Sequence, residues 1–203
     1  MAHSVVVYNF TDTDFNLHCR NMRESLIQLV RAHTPVDATE REHAENTLLF
    51  LYQNTNCTST TNLAGHITAS AWVLSPCQSA TLLTHHRKLD RWLQLGGHIE
   101  NESNIQEAAL REAREESGIH QIVQLQESIF DIDIHLIPAR KSVAEHYHYD
   151  IRFLFMAEKT SFVVSEESKE LAWVELAKVS DLVSDDSMLR MCHKSQRYTD
   201  RNL

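Results

Sequence analysis

Three carboxylates stand at helical spacing in the stretch GGHIENESNIQEAALREAREESGI, residues 96–119: Glu112, Glu115 and Glu116. Positions i, i+3 and i+4 share one face of a helix, so like charges crowd together and weaken it unless a cation intervenes. Hard oxygen ligands gathered at one point suit Mg2+ or Mn2+. The bland alternative is a solvated acidic face, which E-x-x-E-E alone does not exclude. Arg111 adjoins the group. Its pairing with Glu107 or Glu115 across one turn is worth only about 0.2–0.5 kcal/mol when exposed, so orienting a ligand carboxylate is its better use. Gly96 and Gly97 precede the helix and let the backbone turn tightly and approach a ligand closely.

Other residues are candidates for holding a substrate. His85, His86, Arg87 and Lys88 form a small basic cluster ahead of the glycines; Arg87 and Lys88 suit phosphate, and a surface hairpin tip is the alternative. Trp92 can stack on a base or fill the core. Asp131, Asp133 and His135 alternate with Ile132, Ile134 and Leu136. His146, His148, Asp150 and Arg152 alternate with Tyr147, Tyr149, Ile151 and Phe153. On strands each polar set projects to one face. If the two pair around Pro138, one sheet face gathers Asp133, His135, His148, Asp150 and Arg152 for substrate phosphates or a further metal. An ordinary half-exposed hairpin is the competing reading.

The elements that must position these residues are legible in outline. Residues 13–33 read as a helix from Phe15, Leu17, Met22, Leu26, Leu29 and Val30, broken by Thr34-Pro35. Asp37 caps a second helix, with Glu40 three residues on and Leu48, Leu49, Leu51 and Tyr52 toward its end. Residues 1–64 form a mostly helical lead-in whose default role is packing, with dimerisation or pocket shaping as alternatives. Ile67–Leu74 and Ala80–Thr84 read as a hairpin. Residues 104–117 read as a helix, capped by Ser103 with Gln106 completing a capping box and stopped by Gly118. Strands follow at 122–137, 146–157 and 172–175, and helices at 176–184 and 186–196. There is no repeating βαβ rhythm, which implies a mixed sheet with helices on its faces.

A chain of 203 residues that is 42% hydrophobic suits one core with a modest extension. Acidic residues outnumber Lys plus Arg by 28 to 19, a formal charge of −9, which disfavours a broad nucleic-acid-binding face. The 13 His exceed ordinary usage. Cys19, Cys57, Cys77 and Cys192 form no C-x-x-C pair and read as free thiols in a reducing compartment. The apolar run Val5–Val7 is too short for a signal peptide or a spanning helix. A cytoplasmic protein is expected.

Gly97, Arg111, Glu112, Glu115, Glu116, Gly118 and Ile119 together resemble the Nudix box, G-x5-E-x7-R-E-U-x-E-E-x-G-U, with U a bulky aliphatic. Two positions depart. Ser103 stands where the first box Glu belongs, with Glu102 one residue earlier, and Ala113 fills the aliphatic position. In the family that first Glu braces the loop, often through the box Arg, so either Glu102 substitutes or Ser103 acts simply as a cap. The resemblance implies that Glu112, Glu115 and Glu116 hold metal with the backbone carbonyl of Gly96. One of the three orients or deprotonates the attacking water, and Arg111 completes the catalytic set. The segment THHRKLDRWLQLGGH (residues 84–98), the helical lead-in and the D-x-D-x-H and H-x-H-x-D pairing resemble a bacterial subgroup and place His98 with the substrate-binding candidates. Glu166 and Glu167 lie in the loop before Trp173, where some family members place an extra ligand or base.

The fold so implied is α+β, the Nudix α/β/α sandwich with a mixed β-sheet, with a helical extension over 1–64 and the Nudix domain over 65–203. The implied activity is that of a pyrophosphohydrolase dependent on Mg2+ or Mn2+. It would cleave a nucleoside diphosphate linked to another moiety, or a nucleoside triphosphate, by water attack on phosphorus. The expected partner is a nucleotide or other pyrophosphate-containing small molecule, with neither nucleic acid polymer nor membrane; a homodimer is an open alternative. Two rival functions share the fold. A non-catalytic nucleotide-binding module fits the missing first Glu. An isomerase of the isopentenyl diphosphate kind needs a Cys near the glycine turn, where this chain has only Cys77 on the preceding hairpin.

Overall fold

The computed structural model describes residues 12–140 and 143–202, with side chains over 20–140 and 143–200. The Val5–Val7 run lies outside these residues, as do the side chains of Phe15, Leu17 and Cys19. The described residues begin with helices α1 (Asp12–Ala32) and α2 (Ala38–Gln53). Asp37 caps α2, its carboxylate accepting from Glu40 N at 2.7 Å. Met22, Leu26, Val30 and Leu51 are buried as their spacing predicts, whereas Leu49 and Tyr52 face outward, 53% and 49% exposed. The second helix therefore buries a narrower stripe than its apolar end suggests.

Eight strands form one mixed sheet among the described residues. They are β1 (Gly65–Leu74), β2 (Ala80–His86), β3 (Arg91–Leu93), β4 (Leu95–His98), β5 (Ile122–Gln124), β6 (Asp131–Ile137), β7 (His146–Ala157) and β8 (Ser168–Glu175). Helix α3 (Ile105–Ser117) follows β4; α4 (Val179–Leu182) and α5 (Asp186–Asn202) close the chain. Strand β1 is buried along its whole length and runs parallel to β7, with β2 and β4 antiparallel to it. Its residues alternate between two layers. Ile67, Ala69, Ala71 and Val73 pack with α1, α2 and α3. Trp72 and Leu74 pack with Met188, Met191 and Cys192 of α5, and Trp72 Nε1 donates to Ser195 Oγ at 2.8 Å. This is an α/β/α sandwich in which His66, Thr68 and Ser70 occupy the stretch of the second face before Trp72.

The single strand expected over 122–137 is two strands. Both pair antiparallel with β7, but the chain between them leaves the ladder after Leu125 N bonds Leu154 O and returns where Phe130 N bonds Arg152 O. The intervening Gln-Glu-Ser has no apolar alternation to hold it on the sheet, and Gln124 and Gln126 spend their side-chain amides on the carbonyls of Gln126 and Ser128. Cys77 and Cys192 are free thiols. Among the described residues no helix is long and apolar enough to cross a membrane.

Candidate functional site

Helix α3 is set by its two ends. Its N-cap is Asn104, not Ser103: Asn104 Oδ1 accepts from Glu107 N at 2.9 Å. Ser103 Oγ donates to Glu107 at 2.7 Å, and Gln106 reaches away to Glu127 O. Asn and Ser cap about equally well, so one residue of slippage costs little. Gly118 ends the helix in the left-handed region at φ 67°, where Gly is favoured. Ala108, Ala109 and Ala113 lie against the sheet. The small residue at 113 lets the helix sit close, and Glu112 and Glu116, on the same face, reach the glycine turn.

That turn admits the carboxylates because it has no side chains. A Cβ on Gly97 would stand 2.6 Å from the carboxyl carbon of Glu112. Glu116 is 6% exposed, and its Oε2 has no hydrogen-bond partner among the described residues. Burial, then the charges of Glu112 and Glu167, push its carboxyl up to about 8, against a partial offset from the Gly96 N–H. Burial raises Glu112 as well, with Arg111 opposing. Glu115 is largely exposed.

Arg111 is fully engaged. Its Nε binds Glu102, Nη1 lies 3.0 Å from Glu112 Oε1 and 2.8 Å from Glu115 Oε2, and Nη2 donates to His98 O at 2.8 Å. Glu102 also accepts from Glu100 N at 2.8 Å. The brace expected of the first box Glu is thus made by Glu102, one position early, while Ser103 serves the helix terminus.

These groups line a cleft of about 480 Å³. Its floor is Thr68, Ser70, Gln94, His148 and Asp150; α3 forms one wall, and Lys88 and Glu167 come from loops opposite. Of the expected substrate contacts, Lys88, His98, His135, His148 and Asp150 line it with Gly96, Arg111, Glu112, Glu115 and Glu116, and four do not. Arg87 donates to the carbonyls of Glu166 and Ser168, 2.9 Å each, pinning the loop that carries Glu167. Trp92 stacks on His85 at 5.2 Å between centroids. Asp133 and Arg152 are interior.

The pairing of β6 with β7 does bring the polar sets opposite each other: Asp131 meets Arg152, Asp133 meets Asp150 and His135 meets His148. Arg152, however, is 3% exposed and spends its guanidinium on Asp150 at 2.8 Å, Ser187 at 2.8 Å, Asp133 at 3.2 Å and Asp131 at 3.3 Å. Its charge is cancelled inside the protein and cannot meet a phosphate. Asp150 likewise accepts from Thr68, Ser70, Gln94 and Arg152 at 2.7–3.0 Å. Burial opposes its ionisation, but the Arg152 charge and these donors hold it well below the usual carboxylate range. It is a fixed anion in the floor. Burial and neighbouring histidines bring His148 down to about 3 and lower His98 too, so both rings are neutral at neutral pH.

Four contributors were not singled out from the sequence: Thr68, Ser70, Gln94 and His66 take part in the floor or adjoin it. Ser70 and His66 alternate with apolar residues along β1, the signal used for β6 and β7 but not applied there. Glu112 and Glu116 crowd an orphaned oxygen against a bare glycine turn; that donor set suits a hard divalent cation. No described cysteine lines the cleft, and Cys77 lies in the turn between β1 and β2.

The NUDIX domain profile matches residues 65–192. Similar solved structures include a NUDIX-family hydrolase from Clostridium perfringens, 21% identical, covering 66% of this chain and 97% of that one with a TM-score of 0.49. A C. elegans Ap4A hydrolase binary complex is 16% identical over 66% and 97%, TM-score 0.48. A Nudix hydrolase from M. smegmatis, RenU, is 21% identical over 68% and 88%, TM-score 0.49. No curated protein matches. The matched profile spans more than half of the chain, from β1 through the glycine turn and α3 to α5, and the chain belongs to the Nudix family.

Proposed function

We propose that this chain is a pyrophosphohydrolase dependent on Mg2+ or Mn2+. It acts on a nucleoside diphosphate linked to another moiety, or on a nucleoside triphosphate, by attack of water on phosphorus. Residues 65–203 carry the reaction, and the helices before them buttress the sheet. The observation behind this reading is the buried, unpartnered Oε2 of Glu116 beside Glu112 at the Gly96-Gly97 turn.

Glu112 and Glu116, with the Gly96 carbonyl and the flanking Glu115, would hold the ion, which when bound neutralises pyrophosphate oxygens and lowers the pKa of water. The protein's own contribution is positioning and charge. Arg111 fixes Glu112 and Glu115 relative to the loop through Glu102 and His98 O. Among the cleft-lining residues Lys88 is the cation left free to meet an outer phosphate, because the Arg111 and Arg152 guanidinium groups are consumed by carboxylates. Neutral His98 and His148 suit hydroxyl and base N–H groups of the nucleoside rather than phosphate. Glu167, which lines the cleft on a loop held by Arg87, would accept a proton from the attacking water.

A panel of nucleotide pyrophosphates assayed with Mg2+ and with Mn2+ tests the reading. We expect turnover that ceases with chelator, 18O from labelled water in a phosphorylated product, and a loss of at least about 100-fold in Glu115→Gln/Glu116→Gln. Full activity in that double variant overturns the site.

A further inference from the structure

Beyond the carboxylates, one end of the cleft is built of imidazoles. His66 on β1 and His148 on β7 are register partners, and His148 faces His135 on β6. His146 lies two residues before His148 on the same face of β7, and His98 ends β4 opposite Thr68. The ring of His66 has its centroid 4.7 Å from that of His148, 5.0 Å from His98 and 5.1 Å from His146.

Two observations distinguish this from a chance crowding of surface rings. One ring nitrogen from each of His66, His146 and His148 lies within 4.8 Å of the other two. Secondly, His66 is 1% exposed, and among the described residues neither of its nitrogens has a hydrogen-bond partner. A neutral imidazole carries one N–H and one lone pair, and leaving both unmet in an interior is costly. His146 shows the complementary feature: its Nδ1 sits 2.8 Å from Ala144 O. That bond makes Nδ1 the donor and leaves the Nε2 lone pair free, the arrangement that orients metal-binding histidines.

We propose that His66, His146 and His148 form a second metal site, for a nitrogen-preferring divalent transition ion of the zinc class, distinct from the carboxylate site and joined to the cleft through His148. Three atoms so spaced enclose a point no more than roughly 2.8 Å from each, and small ring rotations reach the about 2.0–2.1 Å of a zinc–imidazole bond. The two sites differ in chemistry: carboxylate oxygens select hard Mg2+ or Mn2+, and an all-imidazole set selects borderline ions. Neutral ligands leave the ion's charge uncompensated, so it would draw an anionic group of the substrate toward His148.

The test uses tag-free, full-length, chelator-treated protein titrated with Zn2+ alone by calorimetry, with Co2+ as a visible spectroscopic substitute. We expect a Zn2+ site that survives in Glu112→Gln/Glu116→Gln and shows imidazole nitrogen in its first shell by X-ray absorption. It should weaken at least about tenfold in His146→Gln and in His66→Gln. His146 is half-buried, so its variant decides the matter if His66→Gln does not fold, as judged by circular dichroism. Absence of Zn2+ binding, or affinity unchanged in His146→Gln, or a site lost in the Glu double variant, overturns the proposal.

Discussion

Glu116 is a carboxyl with one oxygen sealed from any partner among the described residues, and that placement has a thermodynamic consequence. Its folded pKa is raised, from about 4.5 to about 8, so the folded protein holds a proton that the unfolded chain has released. Its contribution to stability is complete below about pH 4.5 and is lost as pH rises through about 8. The metal-free protein is therefore expected to lose a few kcal/mol between about pH 5 and pH 8. Mg2+ or Mn2+ should restore stability at the upper end by binding the ionised form, and Glu116→Gln should flatten the slope and shrink the metal effect. Urea denaturation at both pH values, with EDTA or metal, measures this; a slope identical in Glu116→Gln would contradict it. Glu102 gives a second expectation. Since it braces Arg111, Glu102→Ala should lower kcat by about 10- to 100-fold with a smaller change in KM. Ser103→Ala, which touches only the helix terminus, should lose a little stability and no rate. Equal losses of rate in the two variants would place the brace at the motif's own position instead.

At the scale of elements, the glycine turn and α3 work as one part, because Glu112 fills the space a side chain at Gly97 would occupy. Gly97→Ala is expected to leave the fold cooperative while pushing Glu112 off the turn, with activity falling at least about 100-fold and metal affinity falling with it. Wild-type metal binding in a folded Gly97→Ala protein would show that Glu112 is dispensable as a ligand. This part was readable from sequence because box spacing, helix period and the Gly118 stop are all local. The burial of β1 and its pairing with β7 were not, since parallel pairing joins residues about eighty positions apart. The same distance hid the fate of Arg152. Its alternation with Phe153 and Ile151 placed it correctly on a polar face, but only the arrival of Ser187 and Arg190 from α5 shows that this face is roofed over at that end. His66 went unnoticed for the converse reason: its meaning comes from His146 and His148 on another strand. The one-residue error at the cap, Ser103 for Asn104, reflects two adjacent residues of equal capping power, which no local rule separates.

Across the whole molecule, the helical lead-in and α5 meet around the exposed edge of β6. Asp131 receives a two-pronged contact from Arg190 at 2.8 and 2.9 Å and a third bond from Lys194 at 2.8 Å, and Lys194 also binds Glu40 of α2. Helix α2 covers the edge of β6 as well: Ile134 N donates to His43 Nδ1 at 3.2 Å and Ile132 N lies 3.4 Å from Glu40 Oε1. An edge strand left bare is a template for wrong pairing, so this covering gives the lead-in a structural role. Through Asp131, Arg152 and Asp150, the same chain of charges ends in the cleft floor. Glu40 is its most testable member. Burial works against its ionisation, but hydrogen bonds from His33 and Lys194, the Lys194 charge and the Val36 N–H outweigh it and bring its pKa to about 2. A depressed carboxylate contributes stability that is present above its unfolded value, about 4.5, and vanishes as pH falls through about 2. That difference is on the order of 3 kcal/mol. Glu40→Gln keeps the shape but removes one of the two carboxylates that meet Lys194, which keeps Asp131, so the variant should be less stable at neutral pH by about 3 kcal/mol. Its stability gap to the wild type should then narrow as acid protonates Glu40 in the latter. Denaturant midpoints taken from neutral pH down toward about pH 3 decide it: a gap that stays constant would mean that Glu40 acts through packing, and that charge does not join the lead-in to the sheet.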